Sequence, residues 1–142
     1  WLEARPLWLP LPEHHAVVVH GGLLPDAPPA ATDPHFLMNL RSIRPDGSGS
    51  TRVDDGEPWA ARWAGPELAV FGHDALRGLQ CWPAPGEGRP SPEELGAACA
   101  IGLDTGCVYG GALTGLWLPE RRLVTVPAAR DYTGLAARER RR

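Results

Sequence analysis

Three consecutive valines, Val17 to Val19, run directly into His20 and then Gly21–Gly22. Branched side chains suit an extended backbone and crowd a helix, so AVVVH at 16–20 predicts a buried strand that the glycines end. LAVFG at 68–72 repeats the arrangement, with His73 just beyond it. Strand ends in an open sheet are where ligands usually bind. The two histidines lie 53 positions apart, so only a tertiary fold can unite them.

Around these strands the chain is heavily punctuated. Pro6, Pro10 and Pro12 forbid a long helix over 1–12, and 23–33 reads as a proline-rich loop. Asp33 can cap a helix beginning at Pro34, and PHFLMNLRSI at 34–43 predicts that helix, with Phe36, Leu37, Leu40 and Ile43 as its apolar face. Residues 45–58 predict a surface loop, followed by a short turn carrying Trp59 and Trp63 on one side. Four prolines mark 83–92 as another loop. The tail predicts strands at 100–104, 111–118 and 122–127, with a hairpin turn at 119–122 and neighbouring positions for these strands and LAVFG. ARERRR at 137–142 reads as an exposed basic end. Six tryptophans suggest a surface built to be covered.

A chain of 142 residues with 43% hydrophobic and 22% charged content suits one folded domain. A net charge of -3 gives no general attraction to nucleic acid or an anionic membrane, and neither partner is expected. No apolar run reaches the roughly 18 residues that a membrane span needs, and no charged start leads into an apolar stretch. Cys81, Cys99 and Cys107 are an odd number without zinc-like spacing, which fits a reducing cytoplasm. The chain opens on Trp1, and the expectation is a fragment of a longer protein.

Imidazole nitrogen suits first-row divalent metals, and the glycines beside His20 and His73 leave room for close approach of an ion or phosphate. Each histidine taken singly is equally an ordinary residue at a strand end. His14, His15 and His35 lack such a setting and read as surface residues. Asp104, in the glycine-rich GLDTGCVYGG at 102–111, either caps a tight turn or orients a histidine. Cys107 has no neighbouring base to activate it. Arg41 is either a solvent-facing helix charge or a fork for a phosphoryl group.

The run VVVHGGLLPD resembles the calcineurin-like metallophosphoesterases, in the branch of the serine/threonine protein phosphatases and symmetrical dinucleoside-tetraphosphate hydrolases. NLRSI at 39–43, AVFGHDALRGLQ from Ala69 and AIGLDTGCVYGGALTGLWLP at 100–119 agree in the right order. The resemblance spans about 13–127, and the whole of 1–142 is expected to be one partial domain. It implies an α+β fold, the late half of a two-sheet β-sandwich flanked by helices. It implies two divalent ions in the parent enzyme, manganese or iron, with His20 and His73 as late ligands of one of them. It places Asp104 behind the ligands and Arg41 on the substrate phosphate. The early family motifs, which supply aspartates, a bridging carboxylate and a general-acid histidine, do not occur in the 19 residues before His20. The chain alone is therefore expected to hold at most one ion weakly and to be inactive. Its parent is expected to hydrolyse phosphate esters, phosphoproteins or dinucleoside tetraphosphates. The alternative is a non-catalytic binding or regulatory module built on the same fold.

Overall fold

The computed structural model describes residues 1–86 and 88–134. The basic stretch at 137–142 lies outside them. The largest sheet among the described residues has five strands, in the spatial order Trp8–Leu11, Ala16–Val19, Leu68–Phe71, Ala100–Gly102 and Gln80–Trp82. These are β1 (Trp8–Leu11), β2 (Ala16–Val19), β6 (Leu68–Phe71), β7 (Gln80–Trp82) and β8 (Ala100–Gly102). The central three, β2, β6 and β8, are parallel, and the flanking strands β1 and β7 run antiparallel to them.

Both faces of this sheet are covered, which explains the unbroken apolar runs in β2 and β6. On one face Val17, Val19, Ala69, Phe71 and Ala100 pack with Leu23, Leu37, Leu40, Ile43, Trp59 and Trp63. On the other, Ala16, Leu68, Val70, Cys81 and Ile101 meet Leu95 and Ala98, with Val18, Leu116 and Leu123 against them. Leu95 comes from helix α2 (Pro92–Ala97), which opens with a reciprocal cap between Ser91 and Glu94. Leu116 and Leu123 come from the hairpin of β9 (Ala112–Trp117) and β10 (Arg122–Pro127). Arg121, at the hairpin turn, donates through one terminal nitrogen to the carbonyls of Leu95, Gly96 and Ala98 and ties the hairpin to α2.

Several sequence expectations are corrected. The helix predicted over 34–43 is α1 (Pro34–Asn39), capped by Asp33, whose side chain accepts from the His35 amide. Leu40 is already extended, and Ser42–Ile43 form strand β3 between β4 (Gly49–Ser50) and β5 (Glu57–Pro58). Leu40 and Ile43 are buried as expected, but extended chain rather than helix delivers them. The surface loop over 45–58 accordingly contains two short strands. The hairpin is a sheet of its own, not a neighbour of β6 and β8 in the same ladder. The tryptophans divide: Trp59 and Trp63 are 1% and 5% exposed, with the Trp59 ring 4.8 Å from that of Phe71, whereas Trp1 and Trp117 are 86% and 57% exposed. His15 and His35 are exposed, whereas His14 is half-buried.

Candidate functional site

Parallel register builds the site. Val19 stands opposite Phe71, and Phe71 opposite Gly102, so β2, β6 and β8 end together. His20 follows Val19 directly, His73 lies two residues past Phe71, and Asp104 lies two past Gly102. The ladder continues into these ends: the Gly72 amide donates to the His20 carbonyl at 3.1 Å, and the Leu103 amide to the Phe71 carbonyl at 2.8 Å. The His20 and His73 ring centroids are 5.0 Å apart, tilted by 59°. Both rings, Arg41 and Asp104 line one cleft of about 610 Å³, whose remaining wall is Ala75, Leu76, Val108 and Tyr109.

The glycines after His20 serve the protein itself. A Cβ at Gly21 would collide with the Met38–Asn39 backbone, and one at Gly22 with the Trp59 indole. The Gly21 amide donates to the Leu37 carbonyl at 2.7 Å. Close packing of α1 and Trp59 against this turn sets the requirement, and it fixes the direction in which His20 leaves the sheet.

His73 is the more constrained of the two imidazoles. Its φ is +66°, in the left-handed region that residues with a side chain seldom occupy, and the Asp74 amide closes a tight three-residue turn onto the Gly72 carbonyl at 2.7 Å. Its Nε2 is buried and has no hydrogen-bond partner among the described residues. Burial lowers its pKa below the usual imidazole value, assisted by the positive charge of Arg41 and by the neighbouring His20, while Asp74 and a hydrogen bond with the Asn39 main chain act in the opposite sense. The ring is thereby held in the neutral form that can offer a lone pair to a cation.

Arg41 lies past the end of α1, in extended chain: its amide donates to the Ser50 carbonyl, and its own carbonyl accepts from the Trp59 amide. The guanidinium is partly committed. It donates to the Thr51 carbonyl at 2.9 Å and to the His73 carbonyl at 3.2 Å, while its buried Nε stands 4.0 Å from Asp74 Oδ1 without a hydrogen bond. Asp104 caps its own turn, accepting from the Gly106 amide at 3.1 Å through Oδ1. This is the turn-capping arrangement, in a residue that also faces the cleft.

Sequence reasoning missed Asp74 and Arg77. Asp74 is 4% exposed and pairs with Arg77 at 2.6 Å. The available signal was the acid–base spacing within HDALR at 73–77, directly after His73.

Two imidazoles fit part of a divalent ion's shell. The unpartnered Nε2 of His73 and the neutral state of its ring agree with a ligand role. Among the described residues, no group of three or more histidine, cysteine, aspartate or glutamate side chains is assembled that could enclose an ion unaided.

Comparison with known proteins bears on the lineage and the fold. No family model matches the chain. The chain is 31% identical over 134 residues to the asymmetrical bis(5'-nucleosyl)-tetraphosphatase PrpE of Geobacillus thermodenitrificans (strain NG80-2), covering 92% of this chain and 47% of that protein. It is 31% identical over 130 residues to PrpE of Halalkalibacterium halodurans, covering 89% and 45%. A crystal structure of a candidate diadenosine tetraphosphatase superposes with a TM-score of 0.73 at 35% identity, covering 89% of this chain and 53% of that one. The curated relatives are named as asymmetrical enzymes, where the motifs suggested the symmetrical branch. The chain spans about half the length of the relatives it matches. It is a distant homologue of these tetraphosphatases, and its α+β architecture matches part of the calcineurin-like metallophosphoesterase sandwich.

Proposed function

We propose that this chain supplies the late half of a metal-dependent phosphoesterase site, as the carboxy-terminal portion of a protein that hydrolyses dinucleoside tetraphosphates or related phosphate esters. The observation that carries this reading is the convergence of His20 and His73, at 5.0 Å, in a cleft shared with Arg41 and Asp104. The similarity to proteins named as tetraphosphatases supports the substrate class.

In this reading His20 and His73 bind one divalent ion, manganese or iron, from the strand ends. A bound ion pair supplies activation of water and neutralises phosphoryl charge. His73 enters already neutral, so it need lose no proton to bind at neutral pH. Asp104 stays behind the imidazoles on its rigid turn. Arg41 adds positive charge beside the cleft, and the donors not committed to Thr51 and His73 are those left for a phosphoryl oxygen. Two imidazoles hold only one ion weakly, and in this reading the bridging carboxylate of a two-metal site comes from another part of the parent protein.

Calorimetric titration with manganese and phosphate release from a dinucleoside tetraphosphate, a phosphopeptide and a cyclic nucleotide test this reading. One weak site and negligible turnover by the chain alone are expected. Turnover of the tetraphosphate or phosphopeptide is expected from a longer protein that includes the upstream ligand motifs. Two ions bound per chain with rapid turnover would show that the site is built from other residues. Nucleotide binding with no manganese affinity would favour the non-catalytic module.

A further inference from the structure

A residue with a side chain at φ +66° persists only where its surroundings over-determine it. At His73 they do. The Gly72 carbonyl holds the Asp74 amide, and the Arg41 guanidinium holds the His73 carbonyl at 3.2 Å. The Asp74 carbonyl then accepts from the Arg77 and Gly78 amides, each at 3.1 Å, so the next turn is locked as well.

The side chains of Asp74 and Arg77 join this turn to the segment carrying Arg41. Arg77 donates through Nη1 to Asp74 Oδ2 at 2.6 Å and to the Arg41 carbonyl at 3.1 Å. Through Nη2 it donates to Ser42 Oγ at 2.8 Å and to the Val53 carbonyl at 2.7 Å. Both side chains are largely out of solvent, at 5% and 16% exposure. A buried carboxylate is costly unless paired, and Asp74 Oδ1 is buried without a hydrogen bond. The pair is therefore poorly explained as a device for stability alone. Its bonds run mainly between the two segments that carry site residues, Arg41–Ser42 and the turn at His73.

We infer that Asp74 and Arg77 are positioning residues for His73: their buried ion pair clamps the turn at 72–74 to the Arg41–Ser42 segment and so presents the imidazole to the cleft. This rests on the reading of His73 as a metal ligand. Neither residue lines the cleft, so neither touches an ion or substrate.

The test uses this chain with Asp74→Asn, Arg77→Met and the conservative Arg77→Lys, each alone and combined with His73→Ala. Ring-nitrogen NMR of His73 in the metal-free protein reads its tautomer and surroundings, and calorimetry reads manganese affinity. Asp74→Asn and Arg77→Met are expected to shift the His73 ring-nitrogen signals and to weaken manganese binding by about ten- to a hundredfold, the usual effect of losing a group that orients a ligand. In the His73→Ala background the same substitutions should leave the residual affinity unchanged. Arg77→Lys keeps the charge but loses the fork, so it should recover part of the affinity, and it serves where a harsher variant fails to fold. Unmoved His73 signals alongside a lowered melting temperature would overturn the inference. So would an equal loss of affinity with and without His73. If the unsubstituted chain binds no manganese, the metal reading fails, and the ring-nitrogen signals still decide whether the pair positions His73.

Discussion

Val19 and Phe71 sit opposite each other in parallel register, and this single pairing carries His20 and His73 to the same end of the sheet. Phe71 also packs against Trp59, at 4.8 Å between ring centroids, and is 3% exposed. Phe71→Ala is expected to cost about 3–5 kcal/mol, the usual range for removing a buried aromatic ring. That is a large share of the roughly 5–15 kcal/mol that stabilises a domain. Urea unfolding followed by tryptophan fluorescence measures it, and a loss under about 1 kcal/mol would mean that the ring is not an organising contact.

Acid should loosen the metal-free protein through His73. Its folded pKa is lowered, chiefly by burial, so the unfolded chain takes up the proton more readily. The stability contributed by neutral His73 is fully present above the unfolded imidazole value near 6.5 and is lost as pH falls from there through the folded pKa. His73→Gln should flatten this part of the pH–stability curve. Chemical denaturation at a series of pH values checks the sign, and an NMR titration placing His73 above a free imidazole would reverse it.

Gly21→Ala should destabilise by about 1–3 kcal/mol, as overpacking does, because the new methyl meets main-chain atoms of Met38 and Asn39. Gly47→Ala supplies the contrast: its Cβ would meet nothing within 4 Å, although its φ of +87° adds backbone strain. Comparing the two by thermal denaturation separates steric collision from strain, with the larger loss expected at Gly21.

Arg121→Met should detach the hairpin from α2 while leaving the site intact. Its guanidinium serves three carbonyls at the end of that helix, and charged hydrogen bonds of this kind are worth about 1.5–3 kcal/mol. Hydrogen exchange should speed up across β9 and β10, with the amides of β2 and β6 little changed. Uniform acceleration through all four strands would show that the hairpin and sheet unfold as one unit.

The strands that position the site were legible because β2 and β6 are buried on both faces, so their apolar runs carry no competing signal. The end of α1 was not. Leu40 and Ile43 fall at helical spacing from Phe36, yet extended chain inserts them into the same core, and spacing alone does not separate these cases. Strands β3, β4 and β5 have two residues each, too few for an alternating pattern. Helix α2 carries a readable cap in Ser91 and Glu94, but the proline-marked loop read over 83–92 stops at its first residue, and six residues are too short a run to show a helical period. Asp74 and Arg77, three apart, carry no local sign of burial in the sequence. Only the packing of residues 41–53 over them makes them buried, and that information is tertiary.

The parallel order of β2, β6 and β8 has a kinetic consequence. No hairpin can join such neighbours, so 48 residues separate Val19 from Leu68, and the chain must close that loop before the first rung forms. Folding should therefore be governed by contacts distant in sequence, which slow a chain relative to helical bundles of similar size. The cleft has no local precursor: His20 and His73 meet only after the ladder between their strands has zipped. A nascent chain released before β6 would carry the first histidine with nothing to face it.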